Sequence, residues 1–286
     1  MTRSESRLQG DELATYHRDG FVVPRFRLPQ ADLAELQALS AKLVADNPHL
    51  IDQPLACPHV PNSGIQGLKT TRDWMHISTH PAILDMIEQI IGPDIILWGS
   101  NLFYKRAEAG PAVPWHRDAG YWPIKPLATA TVWIAATDSF VENGCLRCIP
   151  GSHAARQAGR HFESADPGLM FPGSLGPEEY DESQAVDVEL EAGQMVIFDA
   201  FLVHGSQPNK GVRDRTGYGL RFMPATSHFD HDAAVHKTEP GAGHHVRPLF
   251  LVRGVNRCTL NDFSRGHPPS ENGLRAYGTR AHSLEG

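Results

Sequence analysis

The sequence predicts an α+β fold with a mainly β core, arranged as a double-sheet jelly roll with N-terminal helices packed against it. Three observations lead there. Apolar stripes at helical spacing are confined to the first third of the 286 residues. After residue 94, β-rich runs broken by Gly, Pro, Asn and Asp follow one another. No helical pattern of crossover length separates those runs, so parallel βαβ units are disfavoured and the strands should pair antiparallel. The 26 glycines and 22 prolines agree, because they favour many turns over long helices.

Taken in order, Asp11 is placed to cap a short helix through Tyr16 that stops at Gly20, and FVVP follows as a first strand. From Pro29, the residues Leu33, Leu36, Leu39 and Leu43 fall on one helix face that ends near Asn47-Pro48. Pro81 opens another helix, in which Ile83, Leu84, Ile87 and Ile91 form a stripe closed by Gly92-Pro93. The expected strands are IILWGSNLFYKRA, ATATVWIAATDSF, CLRCIP, AVDVELEAGQMVIF, AFLVHGSQ and TGYGLRFMP. Beyond residue 226 the chain turns rich in His, Pro and Gly, and the tail after 263 is expected to be mobile. With no repeat and no linker, residues 1–286 read as one domain. Its helical part covers about 1–93, its jelly-roll core about 94–226 and its loop-rich part 227–286.

Charge and cysteine usage exclude several classes. A net charge of −7 and a pI near 6.1 argue against nucleic acid or an anionic membrane as partner, since both need a basic face. Cys145 and Cys148 form a CxxC, but Cys57 and Cys258 are isolated, so no paired zinc framework exists. The N-terminus lacks a signal-peptide core and no window is apolar enough for a membrane span. A soluble cytoplasmic protein acting on a small molecule is expected, of unknown oligomeric state.

The stretch PWHRDAGYWP sets His116 and Asp118 two apart in an extended segment, pointing to the same side. In EAGQMVIFDAFLVHGSQPN, Gly193 makes a turn, MVIF and AFLV read as buried strands, and His204 sits where the strand gives way to Gly205. Two histidines and a carboxylate on facing strands make a facial triad that leaves coordination positions open, which suits non-haem Fe(II). A rival lies in SHFDHD, with His228, Asp230, His231 and Asp232. No strong apolar strand stands behind it, so an exposed or substrate-facing loop is expected there.

PWHRD, ENGCLRCIPGSH and FDAFLVHGSQPN with its following arginine, together with the early YHRDGFVV, resemble the phytanoyl-CoA dioxygenase type of Fe(II)- and 2-oxoglutarate-dependent oxygenases. The resemblance covers roughly residues 12–224. It implies a double-stranded β-helix, iron bound by His116, Asp118 and His204, and O2 as oxidant. It also implies that Arg215 holds the distal carboxylate of 2-oxoglutarate, with Ser206 and Thr131 helping. Arg213 and Arg221 remain alternatives for the arginine, and Asn101 and Lys105 are further candidates for co-substrate contact. Trp115, Tyr121, Trp122 and Trp133 are candidates for a substrate wall, and Lys105, Arg106, Arg147 and the His228–Asp232 loop for substrate recognition. Asn143-Gly144 and Pro150-Gly151 are read as rim turns.

The implied activity is hydroxylation of a small polar metabolite with release of succinate and CO2. A carboxylate at position 118 favours this over halogenation, for which related enzymes leave a small residue there. Desaturation, epimerisation or ring closure would use the same ligands, and an acyl-CoA substrate stays open. A cupin-like oxygenase working without 2-oxoglutarate and a catalytically silent metal-binding jelly-roll protein are the rivals.

Overall fold

The computed structural model describes residues 6–61, 65–233 and 243–267. Four helices are α1 (Gly10–Asp19), α2 (Gln30–Asp46), α3 (Trp74–Ser78) and α4 (Pro81–Ile91). The strands of the first half are β1 (Phe21–Val22), β2 (Leu55–Ala56), β3 (Ile95–Lys105), β4 (Val113–His116), β5 (Ile124–Lys125), β6 (Ala130–Ala135) and β7 (Leu146–Cys148). Those of the second half are β8 (His161–Glu163), β9 (Gly173–Leu175), β10 (Val186–Val188), β11 (Met195–Asp199), β12 (His204–Ser206), β13 (Arg215–Pro224), β14 (His228–Phe229) and β15 (Phe250–Arg253). The larger sheet runs β1-β11-β6-β13-β3-β15, with β2 also paired to β3. The smaller runs β10-β7-β12-β4, and the described pairings between these strands are antiparallel. This is the jelly roll expected from the strand run.

Alternation along each strand divides labour between the faces of the larger sheet. Val132 and Ile134 of β6, and Tyr218, Leu220 and Phe222 of β13, join Leu33, Leu36, Leu43, Ile83 and Ile87 of the helices in one buried core. The intervening residues Thr131, Trp133, Arg215, Gly219 and Arg221 line the cavity between the sheets. One face therefore supplies stability and the other chemistry. Leu36 is 0% exposed, and truncating it to Ala should cost roughly 2–5 kcal/mol.

Several local expectations are corrected. The cap of α1 is Gln9 rather than Asp11: Glu12 reaches back to the Gln9 N–H at 2.7 Å, while Asp11 pairs with Arg25. Gly20 ends the helix as expected, at φ 84°. AVDVELEAGQMVIF is two strands, β10 and β11, split by a turn at Gly193, and they belong to different sheets. AFLV is a turn and connector, not a strand, so His204 opens β12 instead of closing a strand. The physical reason is that the chain must cross from the larger sheet to the smaller between Asp199 and His204.

The C-terminal part is also less loop-like than its composition suggests. β14 pairs with β5, and β15 adds an edge strand to the larger sheet beside β3. Phe263 is 4% exposed and belongs to the buried cluster that includes Trp98, Trp122 and Phe229, so the tail is anchored at least that far. The rest of the tail expected to be mobile, residues 268–286, lies outside the described residues.

Candidate active site

The antiparallel ladder between β12 and β4 sets His204 directly opposite His116. Their rings approach to 4.1 Å between centroids. Arg117 stays extended at φ −116° and ψ 128°, and the chain then turns into a short 3-10 segment at Asp118. That brings Asp118 Oδ1 to 3.6 Å from His116 Nε2. One ligand atom from each of His116, Asp118 and His204 lies within 4.8 Å of the others, and all three residues are buried. The expected i, i+2 pair on one strand is thus a strand end followed by a turn, with the same outcome for the side chains.

Backbone carbonyls orient both imidazoles. His116 Nδ1 lies 2.8 Å from Pro114 O, and His204 Nδ1 3.0 Å from Leu202 O. A carbonyl only accepts, so each Nδ1 carries the proton and each Nε2 presents a lone pair to the cluster. Burial, followed by the charge of His116, lowers His204 to about 4, which keeps it unprotonated at neutral pH. Burial alone would raise Asp118, but its close contact with His116 and the positive charge around it, that of Arg221 included, outweigh it and hold the carboxyl low. Two imidazoles that turn Nε2 inward and a carboxylate form a donor set for a divalent metal.

Arg215 begins β13 and is 3% exposed. Its Nη2 donates to Gly144 O at 2.7 Å and its guanidinium lies 5.2 Å from the Trp133 ring. Trp133 can lie across β13 only because residue 217 is glycine: a Cβ there would fall 1.8 Å from the indole. Burial lowers Arg215 to about 10, so it stays a cation. Arg215 Nε and Thr131 Oγ1 are buried without a protein partner. A cation and a hydroxyl left open in one cavity fit a carboxylate-bearing co-substrate.

The other expected site residues divide by strand alternation. Asn101, Tyr121, Trp122, Trp133 and Ser206 line the cavity with the triad. Lys105 does not; it is fully buried behind Ser206, donating to Ser206 Oγ at 2.6 Å and to Gln207 O. Its burial, reinforced by the charge of Arg215, lowers the amine to about 5. Trp115 and Arg147 are corrections. Each neighbours an inward residue, His116 or Leu146, and so faces outward. There Arg147 stacks 5.3 Å from the Trp115 ring and pairs with Glu182 and Asp187. Arg106 is exposed and paired with Asp52 at 3.0 Å, and Arg213 is exposed beside Asp138.

Sequence reasoning gave Arg221 no separate role and missed Arg247, although both line the cavity. The signal for Arg221 was parity: it lies on β13 at the same phase as Arg215. Arg247 follows a short 3-10 turn and carried no pattern. The rival SHFDHD assembles no metal cluster among the described residues. Asp230 pairs with Lys125, Asp232 with Arg265, and buried His231 bonds Arg247 O at 2.9 Å. A second cluster, Asp32, Glu35 and His76, is partly exposed on the helical side and was not foreseen.

A jelly roll with a buried His-Asp-His cluster and an open arginine in one cavity defines the class of non-haem iron, 2-oxoglutarate-dependent oxygenases. The phytanoyl-CoA dioxygenase (PhyH) family profile matches residues 16–217, and the chain belongs to that family. The phytanoyl-CoA dioxygenase domain-containing protein 1 homolog of Dictyostelium discoideum is 33% identical over 44% of this chain, and that match spans 46% of the relative, less than half its length. The bovine protein named phytanoyl-CoA dioxygenase, peroxisomal, is 26% identical over 80% of this chain and 72% of its own. Among solved structures, the apo form of the non-haem monooxygenase ThoJ superposes with a TM-score of 0.64 at 26% identity, covering 85% of this chain and 83% of that one. No helix among the described residues is long and apolar enough to cross a membrane.

Proposed function

We propose that the chain, acting as one domain, is an Fe(II)- and 2-oxoglutarate-dependent oxygenase that hydroxylates a C–H bond of a small metabolite. His116, Asp118 and His204 hold the iron. Arg215 would hold the distal carboxylate of 2-oxoglutarate with its charge and its open Nε, with help from the open Thr131 hydroxyl and from Ser206, which Lys105 braces. Iron and 2-oxoglutarate together supply the oxidation, with succinate and CO2 as co-products. The protein's part is geometric: the Nδ1 bonds fix both imidazoles, and Trp122, Trp133, Phe171 and Phe198 keep the cavity apolar around them. The observation that carries this reading is that a His-Asp-His cluster and the unpartnered Arg215 Nε and Thr131 Oγ1 share one cavity.

A carboxylate at position 118, where the resemblance implies that halogenases carry a small residue, favours hydroxylation over halogenation. An acyl-CoA substrate is the second reading, favoured by the name of the bovine relative. The test is a metabolite screen, phytanoyl-CoA included, for stimulation of succinate formation by protein loaded anaerobically with iron. A substrate-stimulated, 2-oxoglutarate-dependent signal is expected, and product mass separates hydroxylation from desaturation, epimerisation or ring closure. Binding of metal without any 2-oxoglutarate turnover would make the chain a silent binding protein instead.

A further inference from the structure

Two buried basic side chains stand opposite each other beside the cavity. Lys105 of β3 and Arg215 of β13 are direct partners in the antiparallel ladder, an unfavourable placement for like charges. Among the described residues, the polar contacts of both are neutral. Arg215 donates to Gly144 O and lies over the Trp133 ring. Lys105 Nζ meets Ser206 Oγ at 2.6 Å, Gln207 O, and Ser206 O at 3.5 Å. The titratable groups that face the amine are Arg215 from β13 and the Cys145 thiol from the turn before β7. Burial raises that thiol to about 11, so it brings no counter-charge at neutral pH.

The cluster is built in, not incidental. Gly144, at φ 76°, lets the turn before β7 lie against both groups: its carbonyl holds Arg215, and a Cβ there would come 3.2 Å from Lys105 Nζ. Asn209 Nδ2 donates to Lys105 O at 3.1 Å, so the chain that follows β12 is tied to the same residue.

The protons in this cluster can be counted. Burial first, and then the charge of Arg215, keep the Lys105 amine neutral at pH 7. A neutral amine has two protons and one lone pair. The two carbonyls only accept, so they take both protons, and the Ser206 hydroxyl donates to the lone pair. Ser206 also lines the cavity, where a carboxylate needs that same proton, and a hydroxyl has only one. Once Ser206 turns its proton to the carboxylate, two lone pairs face each other between Oγ and Nζ. A third proton on Nζ, taken from water, converts that contact into a donated hydrogen bond. One N–H bond forms and no other covalent bond changes in the protein. The arriving negative charge also offsets the repulsion from Arg215.

We propose that binding of 2-oxoglutarate is coupled to protonation of Lys105, with the single proton of Ser206 as the link. This rests on the co-substrate reading above. Lys105 is a positioning residue, because Ser206 stands between it and the ligand. In this role the amine turns Ser206 into a donor only when a carboxylate is present to receive it.

The experiment titrates 2-oxoglutarate into the Ni(II)-loaded full chain by calorimetry. It uses two buffers of different ionisation enthalpy, so that the heats count protons. Near pH 7, wild type should take up roughly 0.5–1 proton more per 2-oxoglutarate than Lys105→Met or Ser206→Ala. The bound protein then holds more protons than the free protein above the free amine's value of about 5, so affinity falls as pH rises. That fall should approach about 10-fold per pH unit in wild type and flatten in both variants. Ser206→Ala keeps the amine and serves also if the Met variant fails to fold. A brace without proton coupling would change affinity but not the proton count. Equal uptake in the three proteins, or parallel pH profiles, overturns the proposal while leaving the co-substrate reading intact. Absence of 2-oxoglutarate binding to the wild type removes both.

Discussion

His116-Arg-Asp118 and His228-Phe-Asp230 have the same spacing and opposite fates. The first ends β4 inside the smaller sheet, where β12 supplies His204 directly across the ladder. The second sits on the two-residue β14, whose only described strand partner is β5. Asp230 is taken by Lys125, and of its neighbours Asp232 pairs with Arg265 while buried His231 turns to a backbone carbonyl. The pattern HxD is therefore not a site by itself. What makes one is a neighbouring strand that delivers a third donor while backbone carbonyls hold each Nδ1 and leave each Nε2 facing the cluster.

The comparison breaks most easily at Asp118. Asp118→Ala removes the one anionic ligand, so iron content should drop and coupled succinate formation should fall to background. Asp118→Glu should restore only part of it, because the longer arm displaces the oxygen by a methylene. Iron retained in Asp118→Ala but lost in Asp230→Ala would reverse the assignment of the two motifs.

Arg215→Ala comes next. Loss of one partner from a buried charged pair costs about 2–5 kcal/mol, so 2-oxoglutarate affinity should weaken on the order of 30-fold or more, with iron content kept. An unchanged affinity by calorimetry would move the role to Arg221. His231→Ala should destabilise the fold by roughly 1–3 kcal/mol in denaturant titration, because Arg247 O loses its buried donor, while iron content stays at wild type.

Lys105 sharpens the contrast through pH. Its amine is lowered to about 5 when folded, against 10.5 when exposed, so the unfolded chain binds the extra proton between those values. Unfolding free energy therefore gains a positive slope with pH across that window, and the amine's penalty is greatest at low pH. Lys105→Met should remove about 1.4 kcal/mol per pH unit of slope between pH 6 and 9. Equal slopes in the two proteins would mean that Lys105 stays charged when folded. The smallest effect is expected at Asp230→Ala. Its partner Lys125 is largely exposed, and such surface pairs contribute about 0–1 kcal/mol.

Periodicity made the fold legible where burial is one-sided. The stripes of α2 and α4 and the apolar runs of β3 and β13 were read with nearly their observed limits, while ATATVWIAATDSF overran β6 at both ends. β1 was read from FVVP, but other very short elements carried no such signal: β2 and β14 have two residues each, and backbone pairing rather than side-chain pattern defines them. AFLV misled because four apolar residues look the same whether they build a strand or cross between sheets. Trp115 and Arg147 were drawn into the candidate site by nearness in sequence, yet alternation puts adjacent strand residues on opposite faces.

By itself the sequence determined the local preferences: where helices start and stop, which strands are apolar, and which residue types stand beside Pro114 and Gly205. It also carried the donor chemistry, because imidazole and carboxylate at positions 116, 118 and 204 are covalent facts. Tertiary structure alone decided which donors meet. His116 and His204 are joined by a ladder between segments far apart in the chain, and Arg221 and Arg247 share the space above Gly99 from different elements. The physical reason is that ligand geometry and buried charge depend on distances between strands. Those are set by sheet pairing and packing across the whole chain, which no local window encodes.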